Sequence, residues 1–258
     1  MKIAIETRLE YAVPGPVDVL LQIEAAMIPE QTVLSAHIDL PEFEHFARVP
    51  GQADIGDRIW LRLSQPLKVR YRGEVEINRL IADVDTLQRT PPHMLPGETV
   101  DYLLASRYCP ADLFQDFVNS EFAGTEGGAR VAALRDWIAQ TLSYEPGSSD
   151  AMTTAIDTFH SHKGVCRDYA HLMIALTRAS AIPARFASVY GIGVEPQDFH
   201  AVAEVFLDGA WHMVDPTRMA RSESIAKIGV GRDAADVSFL TSFGAVELQE
   251  QSVEVSEV

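Results

Sequence analysis

Cys166 is the residue whose type and position in this sequence most clearly suggest chemistry. It follows Gly164-Val165 and opens a segment through Ala181 that has the apolar periodicity of a helix. A cysteine at a helix N-terminus faces unpaired backbone N–H groups and the positive end of the helix dipole. Both favour the thiolate, which is the nucleophilic form. The position therefore predicts a reactive thiol, whereas Cys109 lies at no helix start and is predicted to be inert.

His200 and Asp215 are predicted to lie together on a β-hairpin. Asp208-Gly209 is a strong signal for a two-residue turn, which pairs Leu207 with Ala210. In that register His200 and Asp215 are diagonal neighbours on one face, within reach of a hydrogen bond. A three-residue loop would place them on opposite faces. Cys, His and Asp in this arrangement would form the nucleophile, base and orienting carboxylate of an acyl-transfer enzyme.

The elements that must position these residues fall into two groups along the chain. The first ninety or so residues contain short strand patterns separated by Gly and Pro, typical of an antiparallel sandwich or barrel. Helical periodicity begins after Pro110, and strand patterns return after Ile182-Pro183. We predict an α+β protein with an N-terminal β-sandwich domain at 1–95 and a catalytic domain at 96–245. An acidic tail at 246–258 would be solvated or form an edge strand.

Four blocks of sequence in the second half occur in a characteristic order. They are Gly164–His171, Ile182–Arg185, Phe199–Val205 and Trp211–Thr217. Together they resemble the transglutaminase-like superfamily, and more closely its bacterial cysteine-peptidase-like branch, over about residues 100–240. The resemblance implies a papain-like core of helices packed on an antiparallel sheet, preceded by a β-rich region. It also maps the catalytic residues of the family onto Cys166, His200 and Asp215.

The resemblance implies a thiol-dependent reaction at an amide, either a peptide bond or a Gln side chain, through a thioester intermediate. Hydrolysis would make the protein a peptidase or amidase, which is the interpretation we favour. Transfer to an amine would make it a protein cross-linking transglutaminase. A third alternative is a non-catalytic binding or scaffolding module on the same fold, because fold alone does not determine function.

Three further residues are candidates for the oxyanion hole or the substrate groove. The backbone N–H of Cys166 would supply one oxyanion donor, and Tyr144 is the candidate for the second. Asp168 lies in the first turn of the helix, where a carboxylate also stabilises the helix through its dipole. Val202 occupies a position at which many relatives carry an aromatic residue, and this departure affects the groove rather than the triad.

A zinc site is the competing interpretation of a local group of His and Cys residues. The group consists of His160, His162, Cys166 and His171. Its spacing does not match a familiar set of zinc ligands. One helix ending near His160 and another starting at Cys166 would also point these side chains in different directions. No acidic cluster has the pattern of a calcium site. We therefore expect no metal and no cofactor.

Charge and composition exclude several classes of function. The 258-residue chain has 37 acidic and 21 basic residues and a formal net charge of −16. Such a chain repels phosphate backbones and anionic membranes, so we expect peptide or protein substrates and neither nucleic-acid nor membrane partners. Only two cysteines occur, and the N-terminus has no apolar signal segment. We predict a cytoplasmic location; the sequence gives no indication of oligomeric state.

Overall fold

The first third of the chain forms strands, as the Gly- and Pro-separated pattern predicts. The computed structural model describes residues 1–258. Its first six strands are β1 (Lys2–Ala12), β2 (Val17–Leu21), β3 (Gln31–Asp39), β4 (His45–Pro50), β5 (Asp57–Leu63) and β6 (Leu67–Ile77). Short 3₁₀ turns lie at Gln52–Asp54, Val84–Thr86, Pro92–Met94, Gly97–Leu103, Ala111–Phe114 and Ser222–Ser224.

The rest of the chain combines four helices with eight strands. The helices are α1 (Gln115–Glu121), α2 (Gly127–Thr141), α3 (Ala155–Ser161) and α4 (Cys166–Ala179). The strands are β7 (Ser143–Tyr144), β8 (Lys163–Gly164), β9 (Ala184–Gly191), β10 (His200–Leu207), β11 (Ala210–Val214), β12 (Ile225–Gly231), β13 (Leu240–Ser242) and β14 (Glu247–Glu257). The α+β class with a strand-rich N-terminal region is therefore confirmed.

Two four-stranded sheets enclose the N-terminal core. Their strand orders are β14-β1-β6-β3 and β13-β2-β5-β4. Alternate residues of β1, such as Ile3 and Ile5, are buried in one cluster with Val19 of β2 and Leu61 of β5. This alternation places one face of each sheet in a shared apolar core, which is the organisation of a sandwich.

Both sheets of the sandwich include strands from the C-terminal end of the chain. Strand β13 pairs with β2, and β14 pairs with β1. The acidic C-terminal segment was predicted to be either solvated or an edge strand. In the structure it forms an edge strand, in which Val253 and Val255 are buried. The domain limits at residues 95 and 245 stay a prediction, and the sandwich is built from segments on both sides of them.

A third sheet and helix α4 position the candidate site. The sheet has the order β11-β10-β9-β12, and apolar residues of α4 share a buried cluster with residues of β9 and β10. Leu172 and Leu176 of α4 are fully buried in this cluster. The helix therefore lies on the sheet in a fixed orientation, so that the N-terminus of α4 and the start of β10 contribute to the same cavity.

The β10–β11 hairpin has the predicted turn and register. Leu207 pairs with Ala210, and Ala203 pairs with Val214. Asp208 and Gly209 have φ values of 47° and 77°, so both central residues adopt the positive φ that this turn requires. The prediction from turn chemistry is confirmed. Elsewhere in the chain, no helix is both long enough and apolar enough to cross a membrane.

Candidate active site

Cys166 is the first residue of α4 and lines an open cavity of about 550 Å³. Val165 before it is extended, and its N–H donates to Oδ2 of Asp168 at 2.8 Å. A side chain at Gly164 would bring its Cβ within 2.6 Å of Cβ of Asp168, so only glycine fits there without displacement. The Gly-Val-Cys-Arg-Asp segment thus begins the helix at the cysteine and leaves the thiol half-buried at the cavity wall.

Asp168 fixes the start of this helix and does not line the cavity. Its side chain is fully buried, and its Oδ2 also accepts a hydrogen bond from the Ser149 hydroxyl at 2.6 Å. A carboxylate that accepts from N–H groups at a helix start stabilises that end. The structure therefore places Asp168 behind Cys166 as a positioning residue and not in the groove.

His200 and Asp215 are joined by a hydrogen bond. Nε2 of His200 lies 2.9 Å from Oδ2 of Asp215. The carboxylate is held in place by three further donors, the backbone N–H and hydroxyl of Thr217 at 2.9 and 2.7 Å and the backbone N–H of Ala220 at 2.9 Å. Asp215 is therefore fixed by its own loop, and it in turn fixes the imidazole ring.

The surroundings of His200 favour its charged form. Burial disfavours the imidazolium, but the hydrogen bond with Asp215 and the nearby thiol of Cys166 outweigh burial and raise the pKa of His200 to about 10. The pKa of Asp215 is lowered, since the hydrogen bond and charge of His200 outweigh the effect of burial. Because Nε2 is engaged by Asp215 and Nδ1 makes no hydrogen bond, Nδ1 is the nitrogen that remains for the thiol.

Tyr144 is brought next to Cys166 by a pair of very short parallel strands. Tyr144 of β7 is paired with Gly164 of β8, two residues before the cysteine. Burial and the negative charge of a nearby Cys166 thiolate raise the pKa of Tyr144 to about 12. The phenol of Tyr144 therefore lies close to Cys166, although Tyr144 is not among the residues that line the cavity.

Val202 does not reach the cavity, contrary to the expectation that it touches the groove. It shares a strand face with His200 but lies two residues further along β10. There it is fully buried in an apolar cluster with Met213 and Val230. The apolar neighbours on β9, β11 and β12 cover this position, so an aromatic side chain in its place would alter the core.

The His and Cys residues of the zinc interpretation are not gathered into one site. His160 and His162 are exposed, while His171 is fully buried in α4 and stacks on Tyr108 at 5.0 Å between ring centroids. Nε2 of His171 accepts a hydrogen bond from the backbone of Ala234, and burial holds its pKa well below the usual value. No three His, Cys, Asp or Glu residues are grouped as metal ligands would be.

Two walls of the cavity were not indicated by the sequence pattern. Tyr108 lies in one wall, and its backbone N–H donates to the buried carboxylate of Asp233 at 2.8 Å. Phe239 lies in another wall and stacks on Phe199 at 4.6 Å. These contacts join residues forty or more positions apart, and no turn or periodicity signals such a contact in advance.

Comparisons with known proteins decide the family. A family model of the transglutaminase-like superfamily matches residues 116–216. A crystal structure from Cytophaga hutchinsonii, named as a "putative cysteine protease", is 31% identical with a TM-score of 0.92 over 99% of this chain and 90% of that one. This chain belongs to the transglutaminase-like superfamily. The match at 116–216 contains Cys166, His200 and Asp215, so the geometry described above lies within the transglutaminase-like region.

A relative in another organism matches part of this transglutaminase-like chain. Uncharacterized protein ML0607 of Mycobacterium leprae is 36% identical over 120 residues. The matched region is 43% of this chain and 42% of that protein, so the chain spans less than half the length of this relative. This similarity supports membership of the transglutaminase-like superfamily. It gives no information about activity, because the name of the relative states none.

Proposed function

We propose that this protein hydrolyses an amide of a peptide or protein through a thioester on Cys166, as a peptidase or amidase. The observation that carries the proposal is that His200, hydrogen-bonded to Asp215, lines the same open cavity as a cysteine at a helix start. A purely structural module would have no need for a buried, charged imidazole beside a thiol. The fold and the Cytophaga hutchinsonii protein support the same general chemistry.

In the first half of the reaction, the thiolate of Cys166 attacks the amide carbonyl carbon. The oxygen takes up the negative charge and accepts hydrogen bonds from the N–H of Cys166 and the hydroxyl of Tyr144. The His200 imidazolium gives its Nδ1 proton to the leaving amine, and the C–N bond breaks. Asp215 keeps the ring oriented and stabilises its positive charge before this transfer.

In the second half, a water molecule attacks the thioester carbonyl and gives its proton to the now neutral His200. The C–S bond breaks, the carboxylic acid leaves, and the thiolate–imidazolium pair is restored. If a primary amine took the place of water, the same steps would cross-link or modify the substrate. The catalytic residues are the same in both cases, so the acceptor is decided by experiment.

Incubation with peptide mixtures, with and without a primary amine, followed by mass measurement, tests the proposal. We expect cleaved or deamidated peptides, little incorporation of the amine, and no product with Cys166→Ala. Dominant amine incorporation would identify a cross-linking transglutaminase instead. Equal product from wild type and Cys166→Ala would overturn the role of the thiol.

We also propose a reducing, cytoplasmic setting for this reaction. Both cysteines are free thiols, and the chemistry depends on one of them staying reduced. The strongly acidic composition supports peptide or protein substrates over nucleic acids.

A further inference from the structure

The cavity around Cys166 has an unusual charge for this protein. Its walls include the guanidinium groups of Arg107 and Arg167 but no Asp or Glu side chain. In the whole chain, by contrast, acidic residues outnumber basic ones by 37 to 21. The cavity is therefore a locally basic site on an acidic molecule. A cleft lined by positive charge concentrates the electrostatic field and attracts anionic ligands.

Arg107 has no carboxylate to neutralise it. Its guanidinium lies 5.0 Å from the ring centroid of Tyr108, and its only side-chain partner is the sulfur of Met152 at 3.8 Å. The tyrosine is held in turn by a hydrogen bond from its hydroxyl to the carbonyl of Ala151 at 2.8 Å. Arg107 is thus an exposed cation on a fixed support, with its donors free for a ligand.

Arg167 lies directly beside the nucleophile, but its charge is paired with the fully buried carboxylate of Asp168. It donates to the backbone carbonyl of Asp150 at 2.6 Å, and its Nε has no hydrogen-bond partner although it is buried. The nearby carboxylate of Asp168 lies 3.6 Å from this Nε. Of the two arginines of the cavity, Arg107 is therefore the one with an uncompensated charge.

We infer that this cavity selects acyl donors that carry a negative charge close to the reacting carbonyl, such as acidic peptides. Arg107, the arginine of this cavity without a carboxylate partner, binds the charged group. This inference names the substrate class of the site and rests on the proposed function. A planar guanidinium suits a carboxylate because it presents paired N–H donors in a fixed plane.

Two alkylating agents that differ in charge test the inference without a known substrate. Iodoacetate is an anion and iodoacetamide is neutral, and both react with a thiolate. The ratio of their rates at Cys166, divided by the same ratio for free cysteine, measures how strongly the cavity prefers an anion. His200 contributes to this ratio in every variant, so the comparison of Arg107→Gln with wild type isolates Arg107.

We expect the normalised ratio to favour iodoacetate in wild type and to fall by about fivefold in Arg107→Gln, the effect of one nearby charge. Added salt should reduce the preference of the wild type, because exposed charges are screened. Arg89→Gln is the matched control. Arg89 is an exposed arginine outside this cavity, and its loss should leave the ratio unchanged.

The outcomes separate this inference from the proposed function. A Cys166 that reacts readily with both reagents, with the same ratio in wild type and Arg107→Gln, would overturn the substrate class and leave the nucleophile intact. A Cys166 that is as slow as Cys109 with both reagents would overturn the proposed function itself. Pairs of peptides that differ only in having Glu or Gln beside the reacting amide then test the substrate class directly. We expect a lower KM for the Glu peptide with the wild type, and we expect this difference in KM to disappear in Arg107→Gln.

Discussion

The two cysteines of this chain occupy contrasting environments, from which we predict contrasting reactivity. Cys109 is fully buried in the apolar cluster under α4, and its thiol donates to the carbonyl of His171 at 3.5 Å. Burial raises the pKa of Cys109 to about 12, so it stays a neutral thiol. Cys166 stands at a helix start on an open cavity, next to His200 and Tyr144. The same side chain thus serves packing in one place and is available for chemistry in the other.

The two buried histidines repeat this contrast. The pKa of His171 lies well below its usual value, because burial is not offset by a carboxylate partner. The pKa of His200 rises to about 10 despite burial, because Asp215 and Cys166 stabilise its charge. A buried imidazole therefore becomes an acid–base group only where a second residue stabilises its charged form.

Removing each thiol in turn should give the largest difference. Cys166→Ala should lower kcat/KM by at least roughly 10⁴-fold, because no other group can form the thioester. It should leave the melting temperature nearly unchanged. Cys109→Ala should keep activity and lower the free energy of unfolding by about 1 kcal/mol, through loss of a buried side chain. Peptide hydrolysis assays and thermal unfolding measure both effects. A Cys166→Ala variant with substantial activity would remove the distinction between the two cysteines.

Breaking the carboxylate contact of His200 should have the next largest effect. Asp215→Asn should lower kcat by roughly 10²- to 10⁴-fold, because the ring loses both its orientation and its charge partner. Inserting one residue between Asp208 and Gly209 should cause a comparable loss, since it shifts the register that places Asp215 near His200. Asp39→Asn, an exposed carboxylate on β3, is the control and should be neutral. Full activity in the insertion variant would reduce the site to a Cys–His pair.

The hydroxyl of Tyr144 should contribute less than either of these groups. Tyr144→Phe should lower kcat by roughly 10²-fold with little change in KM, as expected for a donor that acts on the transition-state oxyanion. Tyr169→Phe is the matched control, because Tyr169 is a buried tyrosine with its ring 6.0 Å from that of Tyr144. Equal effects of the two substitutions in steady-state kinetics would assign the loss to packing.

The two histidines should affect stability in opposite pH ranges. The pKa of His200 is raised, so its contribution is fully present below about pH 6.5 and is lost as pH rises toward 10. The pKa of His171 is lowered in the folded protein, so His171 there stays neutral as pH falls below about 6.5, while the same residue in the unfolded chain takes up a proton. The folded state therefore loses stability relative to the unfolded chain over this range. Chemical denaturation at several pH values gives the free energy of unfolding as a function of pH. This free energy should change less on the alkaline side in His200→Gln than in wild type, and less on the acid side in His171→Gln. Parallel curves for both variants and wild type would contradict this assignment.

Local signals in the sequence are sufficient to predict the hairpin register and the helix start that carry the candidate site. The Asp208-Gly209 turn determines the hairpin register through the positive φ values that these residues accept. Cys166 was placed at its helix start by the apolar periodicity that follows it. Both signals depend on residues close together in sequence, and the family resemblance added the order of the blocks.

The features that escaped prediction depend on distant segments. Pairing of β14 with β1 joins the two ends of the chain, and the acidic pattern of β14 allowed either a solvated segment or an edge strand. Val202 shares a face with His200, but which residues cover that face depends on β11 and β12. The cavity walls at Tyr108 and Phe239 likewise arise only once the sheets are packed. Such placements follow from tertiary packing, which spacing alone does not encode.

The relative alkylation rate of the two cysteines in the folded protein tests the central claim most directly. Native protein treated with iodoacetamide at pH 6 is digested, and modification of each cysteine is followed by mass spectrometry. We expect Cys166 to react at least about 10²-fold faster than Cys109, and we expect His200→Gln to remove most of this difference. Equal rates at the two cysteines, or a Cys166 rate that is unchanged in His200→Gln, would contradict the claim that position and His200 make Cys166 the nucleophile.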